Sequence, residues 1–371
     1  MAAPALGNLR ILDFSRVLAG PLATMTLADL GAEVTKVERP GSGDDTRSWG
    51  PPHDAAGEAT YFQAVNRNKR SVALDLRDPA GLAAARRLAL AADVVVENFR
   101  PGLMAELGLG YEELAAASPR LVYCSITGFG GSGAGAELPG YDLLVQALGG
   151  LMSLTGEPDG EPLKVGVALV DVIAGLYAAV GILAALEHRR ESGEGQLVEV
   201  DLLSALLAGL VNQSSAYTAA RVVPGRMGNR HPSIAPYELL RTAAGEIVLA
   251  VGNDRQFADL CEVLGTAELV EDARFASNPS RVENRDELRP RLEAALASRS
   301  AAEWVALLRA RRVPAGVVND IGAAFDFAAA IGLDPIVEIP REGGPPVRLP
   351  RNPIGLSKTP ATYRLPPPRL G

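Results

Sequence analysis

Cysteine and histidine are scarce in this chain. Its 371 residues hold only two cysteines, Cys124 and Cys261, and three histidines, His53, His188 and His231. No Cys-x-x-Cys occurs and no histidine pair has ligand spacing, so no metal site is expected. Both cysteines sit in apolar surroundings and read as buried thiols of a reducing, cytoplasmic compartment. A G-x-S-x-G elbow and a P-loop are also missing, which removes two common ways of arming a site. No apolar run reaches the roughly 18–20 residues of a membrane span without interruption. The stretch 165–186 comes closest, but Asp171 lies inside it and Gly175 and Gly181 dilute it. The opening MAAPALGNLR lacks the basic and apolar regions of a secretory signal. No membrane partner is expected.

The length makes two domains the natural prior. A formal net charge of −8 argues against bulk attraction to nucleic acid. Yet Arg39, Arg47, Arg67, Lys69, Arg70 and Arg77 crowd one part of the N-terminal half. Such a patch on an acidic protein suits a small polyanion; a solvated positive face is the other reading.

Strand-like and helical stretches alternate through the first half. Strands are expected at 9–14, 32–38, 71–76, 93–98, 121–127 and 196–200. Helices are expected at 22–30, 79–92, 111–117, 171–190 and, as one mainly apolar element, 202–219. This βαβ alternation with near-continuous Val, Ile and Leu strands predicts a largely parallel sheet covered by helices. Around 221–237 the texture turns to Pro, Gly, Asn and basic residues, the best domain boundary. Beyond it, 237–241 and 246–251 predict a β-hairpin. Helices at 255–264, 285–297 and 301–311 follow, then a strand-like 315–318 and a Pro-rich tail.

Gly128-Phe129-Gly130-Gly131-Ser132-Gly133 matches G-x-G-x-x-G, but Pro139 and Gly140 break any helix soon after it. A dinucleotide fingerprint needs a helix that starts in the glycines. A connecting loop is expected, with no nicotinamide or flavin. Asp171 ends an apolar run and opens an apolar helix. Spacing alone favours a helix N-cap. The sharper reading is a carboxylate kept ionised by the helix N-terminus and stripped of water, a competent nucleophile toward an activated acyl group.

The run RVLAGPLATMTLADLGAEVTKVERPGSGDDTR at 16–47 and the segment Asp171-VIAGLYAAVGILAAL resemble the class III coenzyme A transferases. So do VNRNKRS, GLGYEEL, YCSITGFG and GNDRQFA, and the resemblance extends over nearly the whole chain. It implies an open, Rossmann-like, largely parallel α/β sheet as the large domain plus a smaller α+β domain, in an interlocked homodimer. The domains would be 1–200 (large, CoA-binding), 201–223 (linker helix), 224–325 (small) and 326–371 (return to the large domain). It implies that Asp171 is the nucleophile. CoA contacts would fall at Val17, Ala19, Arg39, Leu74, Arg77, Asn98 and Phe99, though Val17, Leu74 and Phe99 read equally as core. Arg39 and Arg77 would pair with CoA phosphates, and Phe99 would pack near the adenine. Tyr141 and Asp142 would meet substrate. The loop 227–237 stands where the family carries a mobile cover, so His231 and Ser233 would contact a substrate carboxylate; a plain linker is the other reading.

The implied substrates are an acyl-CoA, most simply succinyl-CoA, and a carboxylic acid such as the dicarboxylate glutarate. A 2-methylacyl-CoA racemase and a non-catalytic acyl-CoA-binding protein are the alternatives. The related racemases carry His where this chain has Tyr141, whose ordinary pKa near 10 makes a poor base.

Overall fold

The computed structural model describes residues 3–371. The first two residues of MAAPALGNLR, on which the leader reading partly rests, lie outside them. Strand β1 (Arg10–Asp13) leads into helix α1 (Ala19–Asp29), then β2 (Glu33–Glu38), β3 (Lys69–Ala73), helix α2 (Pro79–Ala91), β4 (Val94–Glu97) and β5 (Val122–Thr127). Helix α3 (Asp142–Leu148), the long helix α4 (Leu169–Ser192), β6 (Leu197–Asp201) and helices α5 (Leu202–Gly209) and α6 (Asn212–Ala220) follow.

These six strands form one parallel sheet in the order β3-β2-β1-β4-β5-β6. Side chains alternate across its faces as the pleat requires. Ile11, Val94, Val96, Val122 and Cys124 join a core with α1 and α4. Leu12, Val95 and Tyr123 join a second core with Ala85 and Ala89 of α2. Both faces are therefore buried, which is why these strands read as continuous apolar runs.

By length and composition α4 is apolar enough to cross a membrane, although the sequence reading discounted this segment for its Asp171 and glycines. Its Val170, Ala174, Ala178 and Ile182 are instead buried in the sheet's core. Gly175 decides how closely α1 approaches: a Cβ there would stand 2.6 Å from the Ala19 carbonyl oxygen.

By contact density the chain forms two compact units. One holds 1–151, 164–223 and 334–371; the other holds 152–163 and 224–333. The second unit builds an antiparallel sheet from β7 (Tyr237–Arg241), β8 (Glu246–Ala250) and β9 (Ala315–Gly316). Helices Asp254–Leu264, Arg285–Leu296 and Ala301–Ala310 cover it around Leu249, Phe257, Leu292 and Trp304.

Several elements differ from the sequence expectation. The single helix expected over 202–219 is two, because Val211 takes a left-handed φ of +43° between α5 and α6. Helix α4 starts two residues before Asp171. An unexpected antiparallel hairpin, β10 (Ile336–Ile339) and β11 (Val347–Pro350), leads into the Pro-rich tail from Gly343, which sits in its turn at φ +70°. Beyond it the tail lies on the first unit: Asn68 Oδ1 accepts from Arg364 N at 2.6 Å, and Arg364 Nη2 donates to the Ala32 carbonyl at 2.8 Å.

Candidate active site

In doubly wound sheets ligands collect beyond the carboxyl ends of the strands, where the strand order reverses. Here the chain leaves β1 toward β2 and β4 toward β5, so the reversal lies between β1 and β4. A cavity of about 520 Å³ opens at that point, lined among others by Arg16, Val17, Asn98, Tyr141, Asp142 and Asp171. A second, of about 290 Å³, lies beyond β2 and β3, with Leu74, Leu76 and Leu107 in its wall and Arg39 and Arg77 beside them. Arg16 and Phe99 line both.

The structure thus gathers the expected CoA residues around two adjoining cavities. Val17, Ala19 and Asn98 line the first, Arg39, Leu74 and Arg77 the second, and Phe99 both. The two arginines have carboxylate partners. Arg39 Nη2 stands 2.7 Å from Asp45 Oδ1, and Arg77 Nε stands 3.0 Å from Asp75 Oδ1 on a largely exposed side chain. Surface pairs of this kind are weak, because water screens them. Arg16, which sequence reasoning passed over, reaches Asp45 Oδ2 at 3.2 Å and stacks its guanidinium 5.1 Å from the Phe99 ring centroid.

Asp171 is the third residue of α4, not its cap. Asp142, at the start of α3, does the capping from outside. Its Oδ1 accepts from Val170 N at 2.9 Å and from Asp171 N at 3.4 Å. Its Oδ2 accepts from Gln146 Nε2 at 2.6 Å, and Gln146 Oε1 accepts from Val165 N at 2.9 Å. The expectation that the helix N-terminus holds Asp171 ionised is therefore corrected. Burial pushes its carboxyl up from 3.8 to about 7, and the Asp142 charge pushes the same way. Asp142 already takes two first-turn N–H groups of α4, which leaves the helix terminus less to offer the Asp171 carboxylate against that burial.

Tyr141 is largely exposed at the cavity wall. Tyr61 is a further group that feels the charges of the site, one that the sequence did not reveal. Burial raises its phenol pKa, and the charges of Asp171, Asp142 and Asp44 raise it further. It packs edge-on against Trp49 at 5.4 Å. No spacing rule links a residue of the 60–64 helix to one in α4; only the fold brings them together.

His231 and Ser233 belong to the second unit. Ser233 N donates to His231 Nδ1 at 3.1 Å, and the His231 ring packs 5.2 Å from Tyr237. Their loop is pinned: Arg285 donates to the His231 and Pro232 carbonyls at 2.9 and 3.1 Å, and Asn278 Nδ2 to the Ser233 carbonyl at 2.9 Å. In the glycine run after β5 no α-helix starts; a short 3₁₀ helix begins at its last glycine and covers Gly133–Glu137. Gly128 instead allows a close backbone crossing, since a Cβ there would stand 2.4 Å from Gly140 Cα. Among the described residues no cluster of three or more His, Cys, Asp or Glu is placed to hold a metal ion.

The model of CoA-transferase family III matches residues 6–371. The chain belongs to CoA-transferase family III. It is 44% identical over 373 residues to the succinate–glutarate CoA-transferase of Agrobacterium fabrum, covering 99% of this chain and 93% of that one. It is 40% identical over 351 residues to the acetyl-CoA:oxalate CoA-transferase of Acetobacter aceti, covering 94% and 88%. The crystal structure of a CAIB/BAIF family protein from Brucella suis is similar at a TM-score of 0.86 and 43% identity, covering 100% of this chain and 97% of that one. This transferase of sulfur-containing groups thus handles acyl-CoA thioesters.

Proposed function

We propose that this transferase moves coenzyme A from succinyl-CoA to a dicarboxylic acid of glutarate type, with Asp171 as the nucleophile. One observation carries the reading: a half-buried carboxyl lines one of two adjoining cavities whose far end is apolar with cations beside it. An adenine nucleotide fits the far end, Arg39 and Arg77 its phosphates, and the thiol end reaches Asp171. In the first step an Asp171 oxygen adds to the thioester carbonyl and the C–S bond breaks, leaving an aspartyl–acyl anhydride and CoA thiolate. The thiolate attacks the Asp171 carbonyl, forming an aspartyl-CoA thioester and releasing the donor acid. The acceptor carboxylate then runs the sequence backwards. Thioester is exchanged for thioester, so the overall free energy changes little. Water must be kept from the anhydride.

The name of the Agrobacterium relative, a succinate–glutarate CoA-transferase, supports glutarate as the acceptor. The Acetobacter relative supports oxalate as the second reading. Mass spectrometry of the CoA products after incubation with succinyl-CoA and a panel of mono- and dicarboxylates decides it. Glutaryl-CoA as the main product supports the proposal; oxalyl-CoA favours the second reading, and no new thioester overturns both.

The pH dependence follows from the raised carboxyl of Asp171. Only the ionised form attacks, so kcat/KM for succinyl-CoA is expected to fall about tenfold per pH unit below about 7. An ordinary carboxylate would keep full activity down to about pH 5. A flat profile from pH 8 to 5 would refute this assignment of the raised group.

The outer face of α4 exposes Leu176, Tyr177, Val180 and Leu183 at helical spacing. We assign this face to a second copy of the chain. Light scattering after gel filtration is expected to give the dimer mass, and Val180→Arg the monomer mass. A monomeric native protein would refute it. The unpaired, buried Cys124 and Cys261 fit a reducing, cytoplasmic setting.

A further inference from the structure

Val17 has a φ of +68°, a left-handed conformation that β-branched residues rarely adopt. It lies between β1 and α1 and lines the cavity of Asp171. A strained backbone persists only where its surroundings over-determine it, and here they do. Asn98, just after β4, grips the backbone of the preceding residue at both ends: its Oδ1 accepts from Arg16 N at 2.8 Å, and its Nδ2 donates to Arg16 O at 2.7 Å. Asp44 accepts from Val17 N at 3.3 Å through Oδ2. Asp44 is itself fixed by the fully buried Lys36 at 2.9 Å, and Lys36 Nζ also donates to Ser15 O at 2.7 Å. On the far side of the turn, a Cβ on Gly20 would stand 2.2 Å from Ser15 Oγ.

These contacts have one thing in common. They hold the main chain of 15–17 rather than leaving side chains free for a ligand. Both polar atoms of the Asn98 side chain are engaged this way, which fixes the amide's orientation and leaves it one N–H and one lone pair. We infer that Asn98, with Asp44 behind it, is a positioning residue: it clamps Val17 in the left-handed conformation and so sets the wall of the cavity against which the acyl thioester meets Asp171. The inference rests on the proposed role of Asp171 and differs from a direct Asn98–CoA contact in what repairs its loss. If Asn98 only holds Val17 in place, a glycine at 17 adopts the same φ without the clamp.

The experiment is a double-mutant cycle on the full chain, reading kcat and KM for succinyl-CoA separately. Strain of this kind makes the expected loss for Asn98→Ala on the order of tenfold to a hundredfold in kcat/KM, mostly in kcat. Val17→Gly, whatever its own activity, is the reference of the cycle, and Asn98→Ala with Val17→Gly stays within about threefold of Val17→Gly alone. Asn98→Asp, which keeps the acceptor and the size but loses the donor to Arg16 O, shows the same rescue should the alanine variant fold poorly. A double variant that falls as far below Val17→Gly as Asn98→Ala falls below the native enzyme overturns the inference and returns Asn98 to the role of a CoA contact. An Asn98→Ala enzyme of native kcat/KM overturns it as well. Loss of native transfer on Asp171→Ala checks the underlying reading independently: if that variant still transfers CoA, the role of Asp171 fails, whatever the cycle shows.

Discussion

Asp171→Asn is expected to abolish CoA transfer and to yield a protein that melts at a higher temperature at pH 8. The loss of rate should be on the order of 10⁴-fold or more, because an amide cannot form the anhydride on which both half-reactions depend. The gain in stability has a defined sign. The carboxyl titrates near 7 in the fold against 3.8 for the free group. Below about pH 4 it is neutral in both states and the substitution changes little. Between about pH 4 and 7 the unfolded chain ionises while the native site stays neutral, so the native protein loses stability relative to the variant. Above about 7 the penalty is complete. Allowing for the partial exposure of Asp171, it should amount to about 1–3 kcal/mol, read as a Tm difference that grows from pH 4 to 8. Transfer at native rates by Asp171→Asn or Asp171→Ala would sink the nucleophile assignment. A Tm difference independent of pH would sink the electrostatic account while leaving the nucleophile in place.

The second large effect is structural. Asp29, at the end of α1, is fully buried and receives Arg67 through Nε at 3.0 Å and Nη2 at 2.7 Å. Asn68 Nδ2 donates to it at 2.7 Å and Asn352 Nδ2, from the tail, at 3.1 Å. Arg67 Nη1 also donates to the Pro350 carbonyl at 2.8 Å, so the same cluster ties the hairpin β10–β11 to the sheet domain. Asp29→Ala leaves the guanidinium of Arg67 buried without its counter-ion. Breaking a buried pair in this way costs about 3–5 kcal/mol, a large share of the 5–15 kcal/mol that holds a typical protein folded. Urea unfolding is expected to show the midpoint falling accordingly, with the tail becoming protease-sensitive. A midpoint shift below about 1 kcal/mol would show that the tail is held by its other contacts, such as Arg364 to the Ala28 and Ala32 carbonyls.

Neither partner of that cluster was legible in the sequence as a pair. Arg67 was read as part of a basic patch for a small polyanion, yet it is buried against Asp29. Lys69 was counted in the same patch and is buried on Asp13 at 3.0 Å. Charge clusters in sequence carry no sign of burial. A positive run is solvated or sequestered depending on which carboxylate the fold brings to it. Of that patch Arg39 and Arg77 are the ones at the second cavity.

The order of the six sheet strands and of the helices expected between them was determined by the sequence, because a strand buried on both faces must be continuously apolar and a covering helix must repeat its apolar face at 3.6 residues; α3 with its Asp142 was not. The family was likewise written in local runs such as 16–47 and the segment after Asp171. These are properties of neighbours along the chain. The tertiary structure alone decided the rest. It split the 202–219 helix at Val211 and placed Asp142 as the cap of α4. It set the Asp171 carboxyl near neutrality, put the Tyr61 phenol within reach of its charge and held Val17 with Asn98. Each of these depends on groups far apart in sequence meeting where water is excluded. There the cost of a buried charge or an unmade hydrogen bond outweighs any local preference.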